Sequence, residues 1–163
     1  MRFDHFQNII ANILEKFEEE NFQTSDEVLL KDLSPLALAY IGDAYFSLYV
    51  RQKLLAYEQN KVRVLHSLGA KIVSAKMQFK ALKSIEDELT EEEKEIVRHG
   101  RNTKSTVPKS ASIHEYRYST GFESLIGYLY IEKAEERLSY ICKKSFEFIL
   151  KDLSEEKKSN KSL

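Results

Sequence analysis

Tryptophan is absent from this chain, and cysteine, proline and glycine are scarce: one, two and five residues among 163. Each shortage excludes something. A single cysteine, Cys142, leaves no disulfide framework and no cysteine-based zinc site, and a reducing compartment is the default expectation. So few glycines and prolines cannot supply the many tight turns of a β-sandwich or barrel. No uninterrupted apolar run reaches the length needed to span a bilayer, so no membrane association is expected. The opening MRFDHFQNII is broken up by charged and polar residues; it does not read as a signal peptide, and a cytoplasmic location is expected. Charge of one sign is lacking too, because the net charge is only −1. Whatever charge has to say lies in its distribution.

What is present is one helical period after another, in a length that suits one principal domain with a core of its own. Phe3, Phe6, Ile10, Ile13, Leu14 and Phe17 recur at helical spacing and predict an amphipathic first helix ending at Glu18-Glu19-Glu20. A polar linker follows, Asn21 to Glu27. Ser34-Pro35 is a start signal, with serine as N-cap and proline at the first helical position. From Leu36 to about Tyr57 the chain is apolar nearly all round, which predicts a central buried helix. Lys61 to Ile85 predicts a second long helix, with Leu65, Leu68, Ile72, Ala75, Phe79 and Leu82 on one face. Thr90 and Glu93 form a capping box for a helix expected to stop at Gly100. Residues 101–117 read as a loop, and a last helix or helix pair spans about Ser119 to Leu153. No segment has the period of a strand, so the expected class is all-α. The expected organisation is an N-terminal helical extension and linker over 1–27, a principal domain over 28–153, and a frayed polar tail over 154–163.

Two isolated carboxylates carry the chemistry. Between Ser34 and Arg51 the only formal charge is Asp43; between Arg117 and Glu132 it is Glu123. An ionised carboxylate in apolar surroundings is costly unless something compensates it. A hard cation held by both acids would do so, and magnesium accepts carboxylate oxygens while keeping several of its waters. Such an ion can activate water and stabilise charge on a phosphodiester without a nucleophilic side chain. Ala39, one turn before Asp43, and Gly127, one turn after Glu123, would let the two helices approach closely. The plainer alternative is a half-exposed acid on each helix, or an ion pair with a distant lysine or arginine.

A basic stretch precedes Glu123. Arg98, Arg101, Lys104, Lys109 and Arg117 stand against a single acid, Glu115, with Asn102 and Ser105 among them. Cations mixed with Asn, Ser and Thr suit phosphate and sugar contacts, which position a nucleic acid without reading its sequence. The alternative is a solvated loop whose charges answer the acidic run Glu86 to Glu95. His66 with Lys71 or Lys76 reads chiefly as a solvated helix face. Tyr40, Tyr45, Phe46 and Tyr49 read as core or interface, and Cys142 as a small core residue.

Taken in order, these pieces resemble a known family. Tyr40-Ile-Gly-Asp43-Ala-Tyr-Phe46 is similar to the signature helix of ribonuclease III. Leu36 to Arg51, Arg98-His-Gly-Arg-Asn-Thr-Lys-Ser105, Val107-Pro-Lys109 and Tyr116 to Tyr130 look like its short bacterial branch, Mini-III. The resemblance runs from about Ser34 to Ala134 and leaves the first helix unexplained. It implies an all-α endonuclease over 28–153 that works as a homodimer. Each subunit would supply one magnesium site (manganese as a substitute) on Asp43 and Glu123, with no small-molecule cofactor. Arg98, Arg101, Asn102, Lys104, Ser105, Lys109 and Arg117 would contact RNA.

The implied substrate is double-stranded RNA, the 23S ribosomal RNA precursor stem in particular. A metal-activated water would leave 5′-phosphate and 3′-hydroxyl ends. The branch also lacks a separate double-stranded-RNA-binding domain, and this chain is expected to leave no room for one. Two positions depart from the longer members of the family, which carry further acids where this chain has Ala39 and Thr120. Only Asp43 and Glu123 carry over, which leaves the metal count open and implies weak metal binding without RNA. Two rivals stay open: a catalytically dead RNA-binding module of the same fold, and a helical interaction protein with no nucleic-acid partner.

Overall fold

The structure, a computed structural model, describes residues 3–18, 30, 33–103 and 112–159. Among these residues there are seven α-helices and no strand: α1 (Phe3–Glu18), α2 (Pro35–Leu55), α3 (Val62–Ile72), α4 (Ala75–Ile85), α5 (Glu91–Asn102), α6 (Ile113–Ile131) and α7 (Glu135–Ser159), with a 3₁₀ turn at Glu86–Glu88. None of them is long and apolar enough to cross a membrane. The chain falls into two units, Met1–Asp32 and Leu33–Leu163. In the first, α1 is amphipathic and exposes Phe6, Ile9, Ile10, Ile13 and Leu14. The linker expected over 21–27, and with it the boundary at 27/28, lies outside the described residues.

In the second unit the centre is α6, on which α2, α4, α5 and α7 all pack. From Ser119 to Leu129 every residue of α6 except Glu123 is buried. The composition of α2 predicted that helix as the centre. Instead α2 buries one face (Leu38, Ala39, Gly42, Phe46, Val50, Leu54) and leaves Leu36, Tyr40, Leu48 and Leu55 exposed, Tyr40 by 82%. Apolarity all round says that a helix can be enclosed, but the number of neighbours is decided by the packing.

The local signals explain where most helices begin. Ser34 caps α2 by accepting a hydrogen bond from the Ala37 amide at 3.2 Å, with Pro35 behind it. Thr90 and Glu93 close the expected capping box on α5. A second box, Ser112 with Glu115, starts α6 six residues before the expected Ser119, so Arg117 stands on a helix rather than in a loop.

Three further expectations need correction. The long segment from Lys61 to Ile85 is two helices, because the Ser74 hydroxyl bonds back to the Lys71 carbonyl at 2.8 Å and Ser74 turns extended before α4. The break resets the helical phase, so Met77, Gln78, Ala81, Leu82 and Ile85 form the buried face of α4 while Phe79 moves to its edge. Gly100 does not end α5. It is a contact residue: a Cβ there would fall 2.9 Å from Ser124 Cβ on α6. Finally, the start of the tail continues α7 to Ser159, where Asp152 meets Lys80 at 2.6 Å and Glu156 meets Lys76 at 3.4 Å.

α2 and α6 cross nearly backbone to backbone. A Cβ on Gly42 would lie 2.7 Å from the Gly127 nitrogen and still closer to the Glu123 carbonyl oxygen; one on Gly127 would lie 2.7 Å from the Leu38 carbonyl carbon. No side chain can rotate away to relieve either clash, because the obstacles are backbone. Gly42→Ala is therefore expected to destabilise the protein by roughly 2 kcal/mol or more, although alanine is the better helix former by about 1 kcal/mol. Urea unfolding followed by circular dichroism measures this, and an unchanged midpoint would mean that the two helices have room to part.

Candidate metal centre at a helix crossing

Asp43 follows Gly42 directly, and Glu123 supplies the carbonyl that Gly42 nearly touches, so the crossing that requires glycine also brings the two acids together. They hold unequal positions. Asp43 opens to solvent, yet burial still lifts its carboxyl above the ordinary range, with the Arg51 guanidinium opposing. Glu123 sits deeper. Burial first, and then the charge of Asp43, push its carboxyl up to about 8, with the Gln78 side chain acting the other way. Burial opposes the charge of both acids, most acutely at Glu123, while Asp43 on its exposed face also fits the plainer alternative of a half-exposed acid.

The residues around them are also placed. Ala39 is buried on α2. Thr120 is buried one turn before Glu123, its hydroxyl spent on the Tyr116 carbonyl at 3.1 Å, so it adds no charge. Ser124 donates to the Thr120 carbonyl at 2.8 Å and sits 2.9 Å from the Pro35 carbonyl oxygen, at the start of α2. Phe46 meets Phe122 edge-on at 5.1 Å, which fixes the two helices from below the site. Gln78 was not anticipated. It is 1% exposed, and its Nε2 has no hydrogen-bond partner. A polar residue sharing a helix face with Ala81, Leu82 and Ile85 was the available signal, hidden by reading α3 and α4 as one helix.

The basic residues divide. Arg98 donates to Glu95 at 3.0 Å, as the solvated-loop alternative held. Arg101 turns instead to α6, donating to the Tyr118 hydroxyl at 3.0 Å with its guanidinium over that ring. Tyr118 in turn packs among Phe79, His114 and Lys83. Asn102 is exposed at the end of α5 and Arg117 on α6. Lys104, Ser105 and Lys109 lie outside the described residues. Lys71 and Lys76 both face Glu156, at 3.8 and 3.4 Å. Cys142 is a core residue, its thiol pushed up to about 12 by burial and therefore inert as a nucleophile.

Two acids whose negative charges oppose each other, with burial pushing Glu123 up to about 8, form a donor set that a divalent cation with oxygen preference would relieve. Among the described residues no group of three or more His, Cys, Asp or Glu side chains is placed to hold a metal. The two carboxylates supply oxygen donors of the kind a hard divalent cation takes, with water left to complete its shell.

An all-helical body with paired acids at a glycine crossing has a counterpart among known proteins. Residues 36–134 match the Ribonuclease III domain, and the chain belongs to that family. The match runs from α2 to the turn after α6 and leaves α1 outside. Within the family it falls in the Mini-III branch. It is 49% identical over 133 residues to the Mini-ribonuclease 3 of Thermoanaerobacter sp., covering 78% of this chain and 94% of that one. It is 45% identical over 111 residues to the Mini-ribonuclease 3 of Enterococcus faecalis, covering 66% and 84%. A crystal structure of a protein from Fusobacterium nucleatum superposes with a TM-score of 0.65 at 35% identity, covering 70% of this chain and 92% of that one.

Proposed function

We propose that the chain is an endoribonuclease that hydrolyses phosphodiester bonds of double-stranded RNA at Asp43 and Glu123, and that it matures the 23S ribosomal RNA precursor. The observation that carries this reading is the two-acid crossing, found within the span that matches the family. Magnesium held by the two carboxylates would supply Lewis-acid assistance to attack by water, leaving 5′-phosphate and 3′-hydroxyl ends.

The chain's own residues do the rest. Asp43, open to solvent, reaches toward the substrate backbone, while Glu123 would take its charged form only against the cation, in a drier place where electrostatic interactions are stronger. Gly42 and Gly127 keep the two carboxylates in a fixed relation. Arg101, braced on Tyr118, with Asn102 and Arg117, takes phosphates and 2′-hydroxyls by the shape of the duplex, and Arg98 joins them by exchanging Glu95 for phosphate. Lys104, Ser105 and Lys109 are assigned to the same surface on the family resemblance alone.

The nuclease domain, residues 28–153, works as a homodimer. The apolar side chains left exposed on α2 support this, above all Tyr40 and Leu48. So does a cavity of about 360 Å³ between α2 and α3, lined by Val50, Leu54, Leu55, Val62, Leu65 and Val73.

The test is incubation of the purified protein with long double-stranded RNA, with magnesium or with chelator, beside single-stranded RNA of the same sequence. Shortening of the duplex alone, and only with metal, is the expected result. Intact duplex in magnesium at low salt overturns the nuclease reading in favour of a binding module. Arg117 is exposed and has no ion-pair partner among the described residues. Arg117→Ala should weaken binding to all duplexes alike and lower the slope of log affinity against log salt by about one. Filter binding across a salt series reads that slope, and an unchanged slope removes Arg117 from the RNA surface.

A further inference from the structure

Among the described residues, Gln78 is the one buried side chain beside the paired acids whose hydrogen bonding is incomplete. It is 1% exposed on the inner face of α4, and its Nε2 has no partner. Burying an amide without its bonds costs free energy, so such a group is retained where something occupies it for part of the time. The group it lies against is the Glu123 carboxyl, toward whose charged form the amide acts without closing a full hydrogen bond. Thr120 offers no such help, since its hydroxyl is committed to its own helix. Ser124 is likewise committed to backbone carbonyls.

We propose that Gln78 is a positioning residue for the metal site: its side-chain amide nitrogen donates to one oxygen of the Glu123 carboxylate and turns the other toward the cation. This rests on the assignment of Asp43 and Glu123 as metal ligands. It gives Glu123 a neutral orienting partner in a site with only two acids. A ligand whose direction is held by an outer hydrogen bond binds metal more tightly than a freely rotating one, and loss of such a partner typically costs about tenfold or more in metal affinity.

The test uses Gln78→Leu, which keeps the volume and removes the amide, with binding of Mn²⁺ to the RNA-free protein followed by the electron paramagnetic resonance signal of the free ion. Thermal unfolding of the metal-free variant is followed alongside to establish that it folds. Mn²⁺ binding should weaken by about tenfold, and the magnesium concentration giving half-maximal cleavage should rise in proportion, with the rate at saturating metal largely restored. A folded Gln78→Leu protein with wild-type Mn²⁺ binding and magnesium dependence overturns the proposal. Should the leucine variant not fold, Gln78→Asn, too short to reach Glu123, takes its place: weakened Mn²⁺ binding supports the role, and wild-type binding overturns it. Asp43→Asn runs alongside. If its Mn²⁺ binding equals wild type, the ligand assignment itself has failed and the Gln78 role goes with it. If Asp43→Asn weakens binding and Gln78→Leu does not, only the Gln78 role is lost.

Discussion

Asp43→Asn is expected to abolish cleavage of double-stranded RNA while leaving the fold and the oligomeric state unchanged. The substitution keeps the size of the side chain and removes its charge, on a residue already open to solvent, so little packing is at stake. What is lost is half of a two-acid donor set in which no third His, Cys, Asp or Glu among the described residues stands by. Lewis-acid assistance is worth several kcal/mol of transition-state stabilisation, and several kcal/mol is about a thousandfold in rate. Single-turnover cleavage of a labelled duplex, with circular dichroism and sedimentation on the same preparation, makes the comparison. A folded variant cutting within tenfold of wild type would remove Asp43 from the chemistry. The fold should survive the substitution because the crossing is held by Gly42 and Gly127 rather than by the acid.

Glu123→Gln should do two opposite things: lose cleavage, and make the metal-free protein more stable at alkaline pH. Burial and the charge of Asp43 hold the Glu123 carboxyl at about 8 in the folded protein, against 4.5 for the ordinary group. Below pH 4.5 both folded and unfolded chains keep the proton, and the residue contributes no pH dependence. As the pH climbs toward 8 the unfolded chain gives up the proton and the folded one retains it, so folding is progressively penalised. Above about 8 the penalty is complete. A tenfold difference in proton affinity between the two states is worth about 1.4 kcal/mol, so a neutral glutamine should gain on the order of 5 kcal/mol over wild type at pH 8.5 in chelator, and almost nothing at pH 4.5. Magnesium should narrow the gap by stabilising the wild-type carboxylate. Urea unfolding at the two pH values, with and without the ion, measures all four stabilities. A gap of the same size at both pH values would mean that Glu123 is not held under electrostatic strain.

The two predictions separate the functions of the pair. Asp43 is held at less cost than Glu123, so its removal should be read chiefly in catalysis. Glu123 is costly to hold, so its removal should be read in catalysis and stability with opposite signs. A residue kept at a cost to stability is the mark of a site shaped for something other than folding.

How much of this was legible before any coordinates follows from the range over which each signal acts. Helix identity, the cap at Ser34, the capping box at Thr90 and Glu93, and the isolation of Asp43 and Glu123 are local properties. They depend on residues within a turn or two of one another, and the chain states them outright. The glycine and alanine spacing even announced that the two helices approach closely. Other matters could not be read so directly. Ser74 breaks one predicted helix into two because its side chain competes for a carbonyl, and that choice turns Gln78 inward and Phe79 to the edge.

Which helix lies at the centre was decided by the packing. α2 and α6 are both apolar nearly all round, but only α6 has neighbours on every side. The inequality of the two acids is likewise tertiary, for Asp43 and Glu123 look alike as isolated charges in apolar helices. Their difference in burial, and the push of Glu123 up to about 8, arise only when α2 lies across α6 with Asp43 at the rim and Glu123 beneath it. The identity of the acids is therefore a property of the sequence. Their separate chemical characters belong to the crossing, because the free energy of a charge depends on everything around it and not on its neighbours along the chain.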